Sequence, residues 1–247
     1  MIRLEAATVM LQWAVGGLGF LWFTTRRGQV GPGYGMLLRI TYAVFAVIAV
    51  VLGFRYGVVA VREASGIAVA IAALVLVRNT NPRLDLIAPL LGIPGIVAAG
   101  LAASTDLSFA DSMVSLARVL VGTAFLGAVS DAMLLGHWYL VQPGMPRKLL
   151  NEMTTAVLWI WPFEVLVLLA PTGMISVLNG TIDDGWDGVL GWFWLASAIV
   201  TGVLAFVTRA ALKERSYSAV MAATGLMYLA ILTAFCTDIV ARALLAG

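Results

Sequence analysis

Asp131 and Glu164 stand inside runs of sequence that are otherwise apolar enough to cross a bilayer, and His137, the only histidine, follows Asp131 by six residues. Carboxyls in such a place can take up and release protons. An imidazole can extend that path, bind a haem, or hydrogen-bond a quinone. The setting gives these residue types their weight. The chain is 62% hydrophobic and 11% charged, with a mean hydropathy of +0.99. An ionisable group at membrane depth costs ~3 kcal/mol on insertion scales, so it normally faces a protein interior or a wet cavity.

Spacing refines the picture. At the helical rise per residue, Asp131 falls ~15 Å inside one end of its span, and Glu164 roughly 20 Å from the same side. The two carboxyls are therefore expected at a shared level near the midplane, on antiparallel helices joined by the short loop from Gln142 to Lys148. Asp131 shares a helix face with Leu134, Leu135, Trp138 and Gln142, whereas His137 shares one with Ser130, Met133 and Val141. A direct Asp131–His137 bond is not expected. Pro162, two residues before Glu164, and Pro94, followed by Gly95, each remove a backbone hydrogen bond inside a span. Transporters use interrupted helices at this depth to build substrate and ion sites. Pro94, Gly95 and Pro162 are accordingly expected to line a cavity with the carboxyls.

The elements that must position these groups are read from hydropathy. A spanning helix needs roughly 20 mostly apolar residues. Runs of that kind fall at about 6–24, 36–54, 64–77, 84–104, 113–140, 150–171, 188–208 and 217–240. No loop is long enough for a separate domain. The expectation is an all-α, polytopic integral membrane bundle of about eight transmembrane helices, forming a single domain over 1–247. The first run follows Arg3, but it is too long for a signal peptide and leads into Arg26 and Arg27 without a small-residue cleavage site.

Loop charges orient the bundle. Arg26 and Arg27, Arg78 and Arg83, Arg147 and Lys148, and Arg209, Lys213 and Arg215 follow the odd-numbered spans. The loops after the fourth and sixth spans carry only Asp106, Asp111, Asp183, Asp184 and Asp187. Lys and Arg mark the cytoplasmic side, so both termini are expected on the non-cytoplasmic side. Arg55 and Arg62, beside the short third span, are the exception. Trp22, Trp138, Tyr139, Trp186, Trp192 and Tyr217 lie near span ends, where amphipathic rings favour the headgroup level.

Other charges read as interfacial. Arg118 and Asp238, near the outer ends of their spans, are expected to pair with each other or to reach the headgroups. Arg39 reads as a headgroup-reaching arginine, and Glu152 as favouring the dipole at the start of its helix. In the loop Asn179–Gly188, Asp187 is expected to cap the following helix; its three aspartates do not have EF-hand spacing. Asn179 begins a formal glycosylation sequon, meaningful only in a eukaryotic secretory setting.

Several classes are excluded. A net charge of +2 leaves no electrostatic footprint for nucleic acid. One cysteine, Cys236, cannot form an intrachain disulfide or a cysteine-based metal centre in one chain. The last span has no lysine for a retinal Schiff base, and no histidine pair is present for a cytochrome b-like bundle. No cofactor is required, although His137 with Met133 or Met145, or a site shared between protomers, leaves haem open, and a quinone likewise.

The leading expectation is transport of a small solute or ion with a proton relay through Asp131 and Glu164, and His137 near the cytoplasmic mouth. The alternatives are a membrane subunit of a redox complex contacting quinone or haem through His137, and a structural or assembly subunit. The expected partners are the lipid bilayer and either partner membrane subunits or further copies of the chain. The expected location is the cell membrane, the inner membrane if the source is bacterial.

Overall fold

The computed structural model describes residues 5–102 and 108–245, so Arg3 and Asp106 lie outside the described residues. Its helices are α1 (Ala6–Thr25), α2 (Pro32–Tyr56), α3 (Ala60–Val75), α4 (Ile87–Ala102), α5 (Phe109–Val141), α6 (Arg147–Leu169), α7 (Gly173–Leu178), α8 (Val189–Ala211) and α9 (Tyr217–Leu245). A 3-10 turn at Pro82–Leu86 runs directly into α4. Local chemistry sets several ends. Pro32 stands in the first turn of α2, where a missing N–H costs nothing. Ser108 caps α5, its hydroxyl accepting from the Asp111 N–H at 3.3 Å and donating to the Asp111 carboxylate at 2.7 Å.

Among the described residues, seven helical segments are long and apolar enough to cross a membrane: α1, α2, the unit Pro82–Ala102, α5, α6, α8 and α9. The expected third span is the one that falls short, because α3 has only 16 residues. It still runs the depth of α1. Arg62, at its start, donates to Thr8 at 3.2 Å, while the turn after its end brings Asp85 to the Thr25 hydroxyl at 2.7 Å. Among the described residues the chain thus runs eight times between the two ends of the bundle, seven of these runs being long enough to cross a membrane. Glu5 and Leu245 line one cavity, so both described ends of the chain lie at the same end of the bundle, called here the terminal end. The opposite end carries Arg26, Arg27, Arg147 and Lys148 and is called the basic end.

The bundle is inverted relative to a water-soluble protein. Large apolar side chains such as Val47, Phe54, Phe163, Phe193, Phe206 and Leu232 are exposed, while Arg39, Arg62, Asp131, Glu164 and Asp238 are buried. An apolar exterior of this extent suits lipid. α1 is the central strut. It crosses α5 where Gly16 and Gly127 meet backbone to backbone, and a Cβ on either would overlap the other helix.

Each end of the α1–α4 half is tied by a buried ion pair. At the terminal end, Arg62 donates to Glu63 and to the Gly57 carbonyl, each at 2.6 Å. Its charge is thereby compensated locally. At the basic end, Arg39 donates to Asp85 at 2.6 Å and to the Val77 carbonyl at 3.2 Å. Arg39 therefore does not reach the headgroups. Asp85 offers it a buried anion that hydropathy alone could not reveal. Glu152 likewise lies in the second turn of α6 and pairs with Arg27 at 2.5 Å, rather than serving the helix start.

The loop before α8 is organised by Asp184, not Asp187. The Asp184 carboxylate accepts from the N–H groups of Trp186, Gly188, Leu190 and Gly191 at 2.8–3.2 Å. Asp187 instead takes a positive φ of 52°. Partial desolvation of Asp184 opposes ionisation, but the four donors outweigh it and hold the carboxyl below its ordinary range. A lowered folded-state value means that the contribution is complete above about pH 4 and fades as pH falls through the folded value. Protection of the Leu190 and Gly191 amides against hydrogen exchange, relative to their intrinsic rates, is expected to fall as pH drops through the folded value. Asp184→Asn is expected to lower that protection at neutral pH as well.

Candidate functional site

Polar groups enter the core at two levels along α5. The deeper one is built on Asp131, which is fully buried. The Tyr42 hydroxyl of α2 donates to Asp131 Oδ1. The path exists because α1 presents Gly17 there, and the Tyr42 ring lies across the space a side chain would fill. Asp131 Oδ2 has no hydrogen-bond partner in the protein, and the hydroxyl of the nearby, buried Tyr34 has the Thr24 side chain in reach. One residue away, Ser130 accepts from the Trp13 indole at 2.7 Å and donates to the Leu126 carbonyl at 2.6 Å.

The second level lies toward the terminal end and contains Glu164. Its nearest charged groups are Asp238 and Arg242 of α9. α5 makes room for them with Gly122, where a Cβ would come within 2.6 Å of Arg242, 2.8 Å of Asp238 and 3.0 Å of the Gln12 amide. Asp131 is nine residues further along α5, a rise of ~13 Å. The structure therefore brings Glu164 together with Asp238 and not with Asp131. A sixth helix that leaves α5 at the loop can present Glu164 to α9 just as well as to α5, and the rotation of α6 selects α9.

Asp238 takes its cation from its own helix. Arg242, one turn later, donates its Nε to both carboxylate oxygens at 2.8 and 2.9 Å, and its Nη2 to the Arg118 carbonyl at 3.0 Å. Arg118 bonds instead to the carbonyls of Val167 at 3.0 Å and of Ala170, satisfying the open C-terminal end of α6. The expected Arg118–Asp238 pair is thus replaced by Arg242–Asp238, with Arg118 alongside.

A cavity of about 440 Å³ opens over this cluster at the terminal end. Glu5 and Asp111 stand among its lining residues, with Arg118 and Arg242. The charged groups run from Asp111 through the two cations Arg118 and Arg242 to Asp238 and Glu164. Glu164 is the odd member. Asp238 has Arg242, and Arg118 has Asp111 near it, whereas Glu164 is fully buried, receives no hydrogen bond from a protein donor, and has the Asp238 carboxylate within hydrogen-bond reach. Gln12 Oε1 beside the cluster also has no partner, although Gln12 Nε2 donates to the Val119 carbonyl at 2.7 Å. Buried polar groups are rarely left so.

The remaining sequence candidates lie elsewhere. His137 is exposed on the flank of α5, and its Nδ1 shares a hydrogen bond with the Tyr228 hydroxyl at 3.1 Å. α4 and α6 continue through Pro94 and Pro162 without a break. Pro94 faces outward, and Gly95 packs against Ser65 and Leu11 rather than against a carboxyl. A proline deletes one backbone bond, and both helices absorb that loss. Among the described residues, no group of three or more His, Cys, Asp or Glu is arranged to hold a metal.

Tyr42, Gln12 and Arg242 are site residues that sequence reading passed over. The signal for Arg242 was its four-residue spacing from Asp238, hidden because the last span was ended at 240. Gln12 and Tyr42 carried a weaker one, as single polar groups inside apolar runs. Neither a protein-family model, nor a curated protein, nor a solved structure matches this chain.

Proposed function

We propose that this multi-pass membrane protein is a transport protein that couples movement of a small solute or ion to protons exchanged at Glu164. The observation that carries the reading is the Glu164 carboxyl, fully buried with no cation of its own, set within hydrogen-bond reach of an already compensated Asp238–Arg242 pair whose Arg242 lines a 440 Å³ cavity. The cluster needs one further positive charge. A proton on Glu164 supplies it, and a cation or a water chain reaching the cavity can exchange it. Asp131, hydrogen-bonded to Tyr42, is the next acceptor toward the basic end. Loop charge supports a cytoplasmic basic end and an outward cavity mouth, and the proposed location is the cell membrane.

Reconstitution into vesicles loaded with a pH-sensitive dye, under a potassium diffusion potential, tests this. The wild-type chain is expected to carry proton flux above protein-free vesicles. Glu164→Gln, which keeps the shape and removes the proton site, is expected to lower it by about a hundredfold. Equal flux from the two proteins would overturn the proposal.

A further inference from the structure

A second pair of cavities lies on the lipid-facing side, away from the charged cluster. The first, about 370 Å³, is a crevice between α1, α4 and α5 lined by Gly16, Gly19, Phe20, Ile93, Ile96 and Leu120, with Thr123 at its wall. The Thr123 hydroxyl is turned inward onto the Val119 carbonyl at 2.7 Å, so the crevice offers a ligand almost no polar group. Gly19 opens it, since nothing lies within 4 Å of where its Cβ would be. The second cavity, about 430 Å³, is at the basic end and is lined by Lys148, Asn151, Glu152, Thr155, Trp159 and Arg209, with the Glu152 carboxylate held by Arg27. The two share Phe23. At that junction Arg26 folds back over the Phe23 ring, its guanidinium carbon 4.1 Å from the ring centre, and lies 5.4 Å from the ring centre of Trp22.

The combination has the shape of one molecule: an apolar slot open to the bilayer, continuing at headgroup level into a pocket with cations and an aromatic edge. We infer that this groove binds an anionic phospholipid, one acyl chain in the α1–α4–α5 crevice and the phosphate among Arg26, Lys148 and Arg209. All three cations are exposed at the bundle end and none is in an ion pair among the described residues, unlike Arg27, which Glu152 occupies. Charge complementarity selects an anionic headgroup over a zwitterionic one, and the dry crevice selects a chain rather than a polar solute. The inference does not depend on proton exchange at Glu164.

Native mass spectrometry of the full chain, released from vesicles of equal phosphatidylglycerol and phosphatidylcholine, provides the test. The wild-type protein is expected to retain phosphatidylglycerol in preference to phosphatidylcholine. Each cation near the surface is worth about a fivefold gain, so the variant Arg26→Gln, Lys148→Gln, Arg209→Gln is expected to lose roughly a hundredfold of that preference. Gly19→Leu places a side chain in the empty slot and is expected to lower retention of both lipids by about tenfold. The charge variant changes only exposed positions and keeps the test valid should Gly19→Leu misfold. Equal retention of the two lipids by the wild type overturns the inference, as does unchanged preference in the charge variant.

Discussion

Replacing Arg242 with methionine is expected to cost about 3–5 kcal/mol of stability, the largest loss from any single substitution at the site. Methionine keeps most of the volume and the apolar stem, so the effect isolates the charge. Asp238 would then be buried with Glu164 beside it and no cation on its own helix, and the Arg118 carbonyl would lose a donor. A loss of this size corresponds to roughly 10 °C in the unfolding midpoint of a chain this long. The double variant Asp238→Asn, Arg242→Met is expected to recover most of it, because an uncharged amide leaves no orphaned anion. Removal of one partner is costly mainly through the charge left behind, and the double variant separates that cost from the strength of the pair. Thermal unfolding of the two variants in one detergent reads both numbers.

The second large effect is functional. Glu164→Gln should leave folding nearly unchanged, because an amide N–H can donate to the Asp238 carboxylate in place of the acid. It should nevertheless remove most of the proton flux, since glutamine cannot accept a proton. Glu164→Asp shortens the side chain by one methylene and retains the acid. Partial flux is therefore expected from it, between the wild type and Glu164→Gln. A merely structural Glu164 would give the reverse order, with glutamine tolerated better than the shortened acid.

How much of this was legible in the chain follows from what each signal encodes. Long apolar runs reveal spans because the bilayer demands length and low polarity. They served for seven helices and faltered at α3, whose run is shortened by Arg62 and Glu63. Those two residues satisfy each other inside the bundle, and hydropathy counts them as solvent-exposed charges. The carboxyls Asp131 and Glu164 were conspicuous for being out of place. Their neighbours were not, because depth along a helix can be counted from sequence while rotation about its axis depends on every helix it touches. Asp131 thus turned to Tyr42 of α2, and Glu164 to Asp238 of α9. Arg118 and Asp238 were matched by depth alone, and the nearer partner one turn along α9 lay just past the assumed end of the span. The close crossing at Gly16 and Gly127 needed both rotation and position, and glycine content by itself only permits it.

The central claim is that Glu164 exchanges a proton with solution by way of the terminal cavity that Arg242 lines. Infrared difference spectroscopy of the reconstituted protein, cycled between two pH values, reads this from the C=O stretch of a protonated carboxylic acid. The account predicts a band that rises and falls with pH in the wild type and is missing from Glu164→Gln. A wild-type spectrum without such a band, or the same band undiminished in Glu164→Gln, would contradict it.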